Sequence, residues 1–583
     1  MKNLNNRLIV KLAGSAGQGI KTAGLILTKA LKRNGFKVFG YTEYPSLIRG
    51  GHNVFQIEVF EGEGVSLSTE TDILLALDSF SIVEHAKEMP SGGVIIYDEN
   101  TITLNAEQIN DFSSRSVSVV GIKLLDEATK AGGNALMKNT VALGALWQIL
   151  NLSFESISPI ISDTYNKTQE MIDTNLRCIK AGMDFVSAKA LNFENNIPTF
   201  EELKNQMIIS GNEAVALGAI ASGVRLYSSY PMTPASAILT YLAEHGPKSG
   251  MIVKQAEDEI NSANMVIGAF HAGTRAMCAT SGGGFDLMTE AVSLSGITEI
   301  PFFCVIGQRP GPATGAPTWT AQSDLDLAIY SGHGEFPRIV VAPADPKQAF
   351  TLTSECLNLT ERFQTPVLML LDKHLGESFY TTPVLSSEAI TIDRGKILAE
   401  SPENLTKLRY EFTEDGISPR WFPGDKINTF LANSDEHTEK GYSTEKAEDI
   451  SKMQAKRLKK LNSIKSTLPD PIIYGDPANA QLKIVSWGSN IPTLLYVKEE
   501  LSKKGIEISI LQITYCWPLK KEPIQNFLNG DTKSALIELN GTFQMGRLIK
   551  QEIGYEFQNK FNKIDGRPFF TEELMQYIST LVK

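Results

Sequence analysis

The sequence predicts a multidomain α/β protein. Short apolar runs typical of buried strands alternate with helical periodicity along most of the 583 residues, as in layered folds with largely parallel sheets. Apolar residues make up 42% and charged residues 21% of the chain, which excludes a disordered or fibrous protein. At about 150 residues per domain, this length indicates three to four domains.

Charge and cysteine content narrow the possible functions. A formal net charge of −11 argues against non-specific nucleic-acid binding and against docking on anionic membranes. The five cysteines are scattered without a Cys-x-x-Cys pair, so we predict no metal ligands here, and sparse cysteine is typical of a reducing compartment. The sequence contains neither a signal-peptide pattern nor an apolar run of the roughly 20 residues that span a membrane, and we expect a cytoplasmic protein.

Composition divides the chain into blocks. A polar stretch at about 192–199 ends the first block, and a loop-rich stretch at about 377–475 interrupts the α/β pattern before a last block. A charged helix is expected over 451–465. We interpret its basic side chains as a solvated face; they are Lys452, Lys456, Arg457, Lys459 and Lys460.

The first block opens with a glycine-rich turn between a strand at 8–13 and a helix that ends near residue 32. Gly14, Gly17 and Gly19 belong to this turn, where backbone N–H groups and a helix N-terminus favour an anion. A P-loop is excluded, because Ile20 occupies the lysine position and a shift of one residue turns a helical side chain by about 100°. The structural alternative is a tight turn without a ligand.

A second glycine turn follows in the same block. Arg49 stands beside Gly50 and Gly51, before His52. Arg49 is either a phosphate or domain contact or an exposed cation in a turn. His52 has no partner ligands in sequence, and we do not predict a metal site there.

The middle block carries three candidate features after predicted strands, where α/β folds place function. In the first, Tyr230-Pro231-Met232-Thr233-Pro234, two prolines hold the Thr233 hydroxyl rigidly at a strand–helix corner. The structural alternative is that Thr233 caps the helix.

The second feature is a helix expected over 258–272, on which Glu259 shares a face with Ala263, Val266 and Phe270. Such a carboxylate either ends the buried stripe or can hand a proton to a bound base.

The third feature is Arg309 in the loop Gln308-Arg309-Pro310-Gly311-Pro312. It is a candidate for binding a carboxylate, because arginine binds carboxylates bidentately. Ser281-Gly282-Gly283-Gly284 is expected to be a flexible backbone approach.

Together these motifs resemble the 2-oxoacid:ferredoxin oxidoreductases, thiamine-diphosphate enzymes that form acyl-coenzyme A and reduce ferredoxin. YPMTP and QRPGP match two family motifs, and GSAGQGI with the RGG turn resembles the gamma subunit. The resemblance implies a fused gamma–alpha chain. Its domains would be a gamma-like domain (1–192), a pyrimidine-binding domain (200–380), a loop-rich connector with a charged helix (381–475) and a transketolase-C-terminal-like domain (476–583).

The resemblance also implies residue roles. Glu259, with Gly268 and Gly273 at the spacing found in thiamine enzymes, would bind the aminopyrimidine ring nitrogen. Thr233 and Arg309 would bind the substrate, and Tyr230 and Pro231 would lie at the cofactor. In the gamma-like block the glycine turn is a candidate contact of the co-substrate coenzyme A.

Mg²⁺, the diphosphate site and a [4Fe-4S] cluster would belong to a separate beta subunit. The expected assembly is a dimer of alpha–beta heterodimers, inactive without beta, with ferredoxin as electron acceptor. The methionine of YPMTP and the fused arrangement favour 2-oxoglutarate, followed by a branched-chain 2-oxoacid and then pyruvate. A non-redox thiamine enzyme and a non-catalytic protein of the same fold are the alternatives.

Overall fold

A computed structural model of the protein describes residues 7–47, 50–189 and 197–582. Its elements confirm the α/β class. The strands are β1 (Arg7–Ser15), β2 (Val38–Glu43), β3 (His52–Phe60), β4 (Ile73–Ala76), β5 (Val94–Asp98), β6 (Ser118–Ile122), β7 (Met207–Ser210), β8 (Leu226–Ser229), β9 (Ile252–Gln255), β10 (Ala276–Ser281), β11 (Phe302–Gln308), β12 (Ile339–Val341), β13 (Pro366–Asp372), β14 (Phe379–Thr382), β15 (Ile472–Tyr474), β16 (Leu482–Ser486), β17 (Ile508–Gln512), β18 (Tyr515–Trp517), β19 (Ser534–Glu538) and β20 (Asn559–Asn562).

The helices alternate with these strands along most of the chain. They are α1 (Ile20–Arg33), α2 (Ser79–His85), α3 (Ala106–Ser114), α4 (Leu124–Lys130), α5 (Lys138–Ile149), α6 (Phe154–Thr164), α7 (Gln169–Ser187), α8 (Glu201–Lys204), α9 (Gly211–Ala221), α10 (Ser236–His245), α11 (Glu259–His271), α12 (Gly282–Leu287), α13 (Thr289–Thr298), α14 (Leu325–Tyr330), α15 (Pro346–Phe363), α16 (Lys373–Glu377), α17 (Ala447–Thr467), α18 (Asn490–Ser502), α19 (Lys521–Leu528), α20 (Gln544–Ile553) and α21 (Thr571–Val582).

The chain divides into two compact units. Unit 1 comprises Met1–Ile209, Ser378–Val384 and Phe570–Met575, and unit 2 comprises Ser210–Glu377, Leu385–Phe569 and Gln576–Lys583. The domain boundary expected at residue 192 falls outside the described residues. The other expected boundaries remain predictions.

Unit 1 is built on a sheet with the order β6-β5-β4-β1-β3-β2-β14-β7. The strands β1, β4, β5 and β6 are parallel, whereas β3 pairs antiparallel with both β1 and β2. This departs from the largely parallel sheet expected from sequence. The connection from β2 to β3, residues 44–51, is too short for the helical crossover that a parallel pair requires.

Unit 2 contains a sheet with the order β18-β12-β13-β11-β10-β8-β9. Within it only β18, paired antiparallel with β12, departs from the parallel direction in the described pairings. Every residue of β11 and β13 is buried, as expected for central parallel strands covered on both faces. A second sheet of unit 2 has the order β15-β17-β16-β19-β20 and belongs to the terminal α/β block.

The loop-rich connector is attached to unit 2 by a buried carboxylate. The Glu361 side chain, on α15, is fully buried and accepts hydrogen bonds from Arg275 at 2.6 Å, Arg394 at 2.5 Å and Arg420 at 2.6 Å. Arg394 and Arg420 belong to the connector, and Arg275 precedes β10. Segments far apart in sequence are therefore held by one carboxylate.

The charged helix α17 is attached in the same way, so its interpretation as a solvated face is wrong for three of its five basic residues. Lys456, Arg457 and Lys460 are buried, whereas Lys452 and Lys459 are exposed. Glu299, in unit 2, pairs with Lys456 at 2.6 Å and with Lys460 at 2.5 Å. Glu436 pairs with Arg457 at 2.5 Å. These compensating carboxylates lie outside the helix in sequence, so the pattern of charges within the helix did not predict that its basic residues are buried.

Glu361→Gln should destabilise unit 2 strongly, because it leaves buried guanidinium groups without their counter-charge. Breaking one side of a buried ion pair typically costs about 3–5 kcal/mol. We expect a clearly lower midpoint in thermal unfolding followed by circular dichroism. The matched control is Glu448→Gln, whose carboxylate forms an exposed pair with Lys452 and should change stability by less than about 1 kcal/mol. Equal midpoints for both variants would contradict this role of Glu361.

Candidate functional site

Four neighbouring parallel strands of unit 2 are each followed by a candidate residue. The strand order is β9, β8, β10, β11, and the pairings are parallel. Glu259 begins α11 after β9, Thr233 follows β8, Gly282 begins α12 directly after β10, and Arg309 directly follows β11. Because carboxyl ends of parallel strands meet at one edge, the sheet collects these residues there.

Glu259 is buried in the first turn of α11, which is capped by the Asp258 side chain. The expected buried face is confirmed, since Ala263, Val266 and Phe270 are also buried. Glu259 is only 4% exposed, and its Oε1 atom has no hydrogen-bond partner among the described residues. Buried polar atoms are nearly always paired in folded proteins, so Glu259 is suited to a polar ligand.

Gly284 provides the space for the Glu259 carboxylate. A Cβ atom at Gly284 would lie 2.8 Å from Glu259 Oε1 and 2.0 Å from Thr280 Oγ1. The hydroxyls of Thr280 and Ser281 are likewise buried and without partners in the described chain. A carboxylate and a hydroxyl at one position, both without partners among the described residues, suit a ring that carries both donors and acceptors, such as an aminopyrimidine.

The glycines after β10 form a helix rather than the expected flexible backbone. Gly282 and Gly284 are buried in the first turn of α12. A Cβ atom at Gly282 would lie 2.7 Å from both carboxylate oxygens of Asp324. Close packing by Glu259 and Asp324 on this turn therefore explains why glycine is required there.

Thr233 and Arg309 are in direct contact. Arg309 Nη1 donates a hydrogen bond to the main-chain oxygen of Thr233 at 2.7 Å. The structural alternative for Thr233 is excluded, because α10 begins at Ser236 with Ala235 as its N-cap. Burial lowers the pKa of Arg309, and the Asp324 carboxyl opposes that decrease.

Tyr230 and Pro231 lie on the solvent side of the same corner. Tyr230 is 39% exposed, and Pro231 is exposed. Their assignment to the cofactor remains a prediction.

Sequence reasoning missed Asp324 and did not assign a role to Gln308. Gln308 is fully buried, and its Oε1 atom accepts a hydrogen bond from the Asp324 amide at 3.2 Å. Burial and nearby Asp286 raise the pKa of Asp324 to about 7, against the opposing effect of Arg309. Gln308 could have been found as the neighbour of Arg309, whereas Asp324 carries no local signal.

Five buried polar atoms at the edge have no partner among the described residues, and we call them the edge cluster. They are Glu259 Oε1, Thr280 Oγ1, Ser281 Oγ, Gln308 Nε2 and Asp324 Oδ2.

The loop from Arg309 to Asp324 is anchored on the terminal α/β block. The Gln322 amide donates to the Leu539 carbonyl at 2.8 Å, and its side chain donates to the Trp487 carbonyl at 3.0 Å. The side-chain oxygen accepts from Asn490 at 2.8 Å. These bonds fix the loop that carries Arg309 and Asp324.

Gly17 and Gly19 lie in the turn between β1 and α1, as predicted, whereas Gly14 is part of β1, which extends to Ser15 rather than ending at residue 13. Gly17 has φ +91° with open space around it, and Gly19 is the left-handed N-cap of α1, which has no side-chain cap. A Cβ atom at Gly14 would lie 2.4 Å from Gln18 Oε1. Lys21 is exposed. These contacts do not identify a ligand for the turn, and its role in coenzyme A binding remains a prediction.

The second glycine turn is described only in part, because Arg49 lies outside the described residues. His52 Nε2 lies 2.7 Å from His85 Nε2, and His85 Nδ1 lies 3.0 Å from Glu88 Oε1. Among the described residues there is no group of three or more His, Cys, Asp or Glu side chains placed to hold a metal ion.

Comparison with known proteins gives matches along nearly the whole chain. Residues 9–185 match the family "Pyruvate ferredoxin/flavodoxin oxidoreductase", and residues 217–456 match "Pyruvate flavodoxin/ferredoxin oxidoreductase, thiamine diP-bdg". The 2-oxoacid:ferredoxin oxidoreductase subunit alpha of Sulfolobus sp. is 32% identical, over 99% of this chain and 97% of the relative. The 2-oxoglutarate synthase subunit KorA of Archaeoglobus fulgidus is 33% identical, over 59% of this chain and 90% of the relative.

A solved structure agrees with these relatives. The 2-oxoglutarate:ferredoxin oxidoreductase from Magnetococcus marinus, determined with 2-oxoglutarate, coenzyme A and succinyl-CoA bound, is 31% identical with a TM-score of 0.92, covering 99% of this chain and 100% of that chain. The chain belongs to the 2-oxoacid:ferredoxin oxidoreductase alpha-subunit family. This confirms the predicted resemblance and the α/β fold with a thiamine-diphosphate-binding part.

The family assignment makes this alpha subunit part of an oxidoreductase that acts on 2-oxoacids. It favours the electron-transferring enzyme over the non-redox and non-catalytic alternatives. Within the described residues, no helix combines the length and apolarity needed to cross a membrane.

Gly284→Ala should weaken the binding of thiamine diphosphate to the assembled oxidoreductase complex. The added methyl group displaces Glu259 and Thr280, and a misplacement of about 1 Å can cost about 100-fold in activity. We expect a dissociation constant for the cofactor at least about tenfold higher, measured by titration of the apo-complex.

Gly283→Ala is the control, because a Cβ atom there meets only the Ala313 carbonyl oxygen, at an ordinary 3.5 Å. It should bind the cofactor like the unmodified chain. Unchanged affinity in Gly284→Ala would contradict the assignment of the edge cluster to the cofactor.

Proposed function

We propose that this alpha subunit contributes the pyrimidine half of a thiamine-diphosphate site and oxidises 2-oxoglutarate with coenzyme A to succinyl-CoA and CO₂, with ferredoxin as the electron acceptor. The observation that carries the proposal is the edge cluster, and within it the Glu259 Oε1 atom, which is buried without a partner among the described residues. When bound, thiamine diphosphate supplies a carbon nucleophile and an electron sink for the decarboxylation of a 2-oxoacid.

Glu259 is the residue that we assign to the aminopyrimidine ring nitrogen. The first turn of α11 positions its carboxyl, and the missing side chain at Gly284 leaves the space that the carboxyl occupies. From there it holds a proton at the ring nitrogen, and the surrounding burial excludes water that would compete for that bond. Tyr230 and Pro231, at the neighbouring strand end, would flank the cofactor.

Thr233 and Arg309 are assigned to the substrate. The hydrogen bond from Arg309 to the Thr233 carbonyl fixes one edge of the guanidinium, and the remaining N–H groups can bind a carboxylate. The Thr233 hydroxyl would donate to the oxo or carboxylate oxygen. Both residues act by positioning and by charge rather than by covalent chemistry.

The choice of 2-oxoglutarate rests on two similar proteins. The Magnetococcus marinus enzyme, similar over the whole chain, has 2-oxoglutarate and succinyl-CoA bound, and the Archaeoglobus fulgidus relative is a 2-oxoglutarate synthase subunit. The name of the Sulfolobus relative specifies only a 2-oxoacid. We therefore place branched-chain 2-oxoacids second and pyruvate third.

A separate beta subunit would complete the site. Apolar side chains are exposed on β9, α11 and α12, the elements around Glu259: Ile252 is 67%, Ile260 49%, Met265 38% and Leu287 53% exposed. The edge strand β9 and the open space at Gly268 on α11 also permit close approach of another chain. We assign Mg²⁺, the diphosphate site and the [4Fe-4S] cluster to this beta subunit, in a dimer of alpha–beta heterodimers.

Coenzyme A is assigned to unit 1 through its glycine-rich turn. Gly14, Gly17 and Gly19 leave the first N–H groups of α1 without a side-chain cap, and such groups favour phosphate oxygens. The five free, buried cysteines are compatible with a reducing compartment, and we place the enzyme in the cytoplasm.

Glu259→Gln should reduce kcat of the assembled complex by about 100-fold to 10,000-fold, the usual contribution of a positioned proton-transfer group. The assay follows the reduction of viologen with 2-oxoglutarate and coenzyme A. Glu257→Gln is the control, since Glu257 is an exposed acid that bonds Asn261, and it should retain full activity. A fully active Glu259→Gln complex would remove Glu259 from the mechanism.

The isolated chain should not turn over any 2-oxoacid, because it lacks the assigned diphosphate and cluster sites. Purified alpha alone and alpha reconstituted with its beta subunit are compared with a panel of 2-oxoglutarate, branched-chain 2-oxoacids and pyruvate. We expect activity only in the complex, with the highest kcat/KM for 2-oxoglutarate. Turnover by alpha alone would contradict the shared site, and a higher value for pyruvate would contradict the substrate assignment.

A further inference from the structure

Asp324 has a buried carboxyl group that performs no structural task visible in the described chain. It is the N-cap residue of α14, but its side chain makes no capping hydrogen bond. Its Oδ2 atom is buried without a partner among the described residues. Both carboxylate oxygens lie against Gly282, where a Cβ atom would be only 2.7 Å away. The carboxyl is therefore held at the sheet edge by packing rather than by hydrogen bonds.

The charges around Asp324 come from neighbouring elements. Arg309 acts on it from the loop after β11, and Asp286 acts on it from α12. On its own helix, Asp326 is paired with Arg547 of α20. Glu259 lies on the other side of the α12 turn, against Gly284. Arg309 directly follows Gln308, whose Oε1 atom accepts a hydrogen bond from the Asp324 amide at 3.2 Å. Arg309 is thus the cation that responds to the charge of Asp324, and it also donates a hydrogen bond to the Thr233 carbonyl.

We propose that Asp324 is a positioning residue whose own charge determines how strongly Arg309 binds the carboxylate of the 2-oxoacid. This inference rests on the proposed function, in which Arg309 contacts the substrate. When Asp324 is protonated, the guanidinium keeps its full positive charge for the substrate. When Asp324 is ionised, it compensates that charge and repels the incoming anion.

The sign of the pH dependence follows from burial. Burial and Asp286 raise the pKa of Asp324 to about 7, so the carboxyl is neutral below that pH and ionised above it. The KM for the 2-oxoacid should be low and constant on the acid side and should rise as the pH passes neutrality. If the substrate binds only the protonated form, the rise approaches about tenfold per pH unit.

The experiment measures KM and kcat of the assembled alpha–beta complex for 2-oxoglutarate between about pH 6 and pH 8.5, the range that brackets this titration. The unmodified complex should show the rise in KM. In Asp324→Asn the KM should stay near its acid-side value across the range, since the amide carries no charge. In Asp286→Asn the rise should begin at lower pH, because removal of that anion lowers the pKa of Asp324.

Asp326→Asn, a change on the same helix at a half-buried residue that pairs with Arg547, is the control and should keep the unmodified profile. A direct readout is infrared titration of the full-length alpha chain: part of the carbonyl stretch of buried protonated carboxyls should disappear near neutral pH, and this loss should be missing in Asp324→Asn. A rising KM that persists in Asp324→Asn, a flat KM in the unmodified complex, or an unshifted profile in Asp286→Asn would each overturn the proposal. Failure of the proposed function is distinguishable, because the unmodified complex would then lack 2-oxoglutarate turnover at every pH.

Discussion

Strands β9, β8, β10 and β11 run parallel, so the chain must reverse after each of them at the same edge of the sheet. These reversals bring Glu259, Thr233, the Gly282 turn and Arg309 to this edge, and buried polar atoms of neighbouring residues lie there too. The result is a set of buried donors and acceptors without partners among the described residues, which is costly in a folded protein unless a ligand binds there. The edge cluster is therefore best explained by function.

Distant charges and hydrogen bonds maintain this edge. Glu361 and Glu299 attach the connector through buried ion pairs, although the connector has few regular elements. Gln322 ties the loop that follows Arg309 to the terminal α/β block. The terminal block thus has a role in this chain beyond its own fold, because it limits the movement of the loop that carries Arg309 and Asp324.

Periodicity and motifs predicted those parts of the site that depend on local sequence. Short motifs contain the buried face of α11 with Glu259. They also contain Thr233 and Arg309, which contact each other. Asp324 was missed because its burial results from packing against Gly282, which is distant in sequence. Lys456 and Lys460 were misread because their counter-charge, Glu299, is even more distant in sequence. The antiparallel pairing of β2 with β3 was not predicted, because it results from the short connection between them and hydrophobic periodicity does not report connection length.

The central claim is that Glu259 Oε1 is the protein's contact with the aminopyrimidine of thiamine diphosphate. The most direct test is an experimental structure of the alpha–beta complex with the cofactor bound. We predict that Glu259 lies within hydrogen-bond distance of the pyrimidine ring nitrogen and that the ring occupies the space beside Gly284 and Thr280. A cofactor bound elsewhere, with Glu259 Oε1 making no contact to it, would contradict the account.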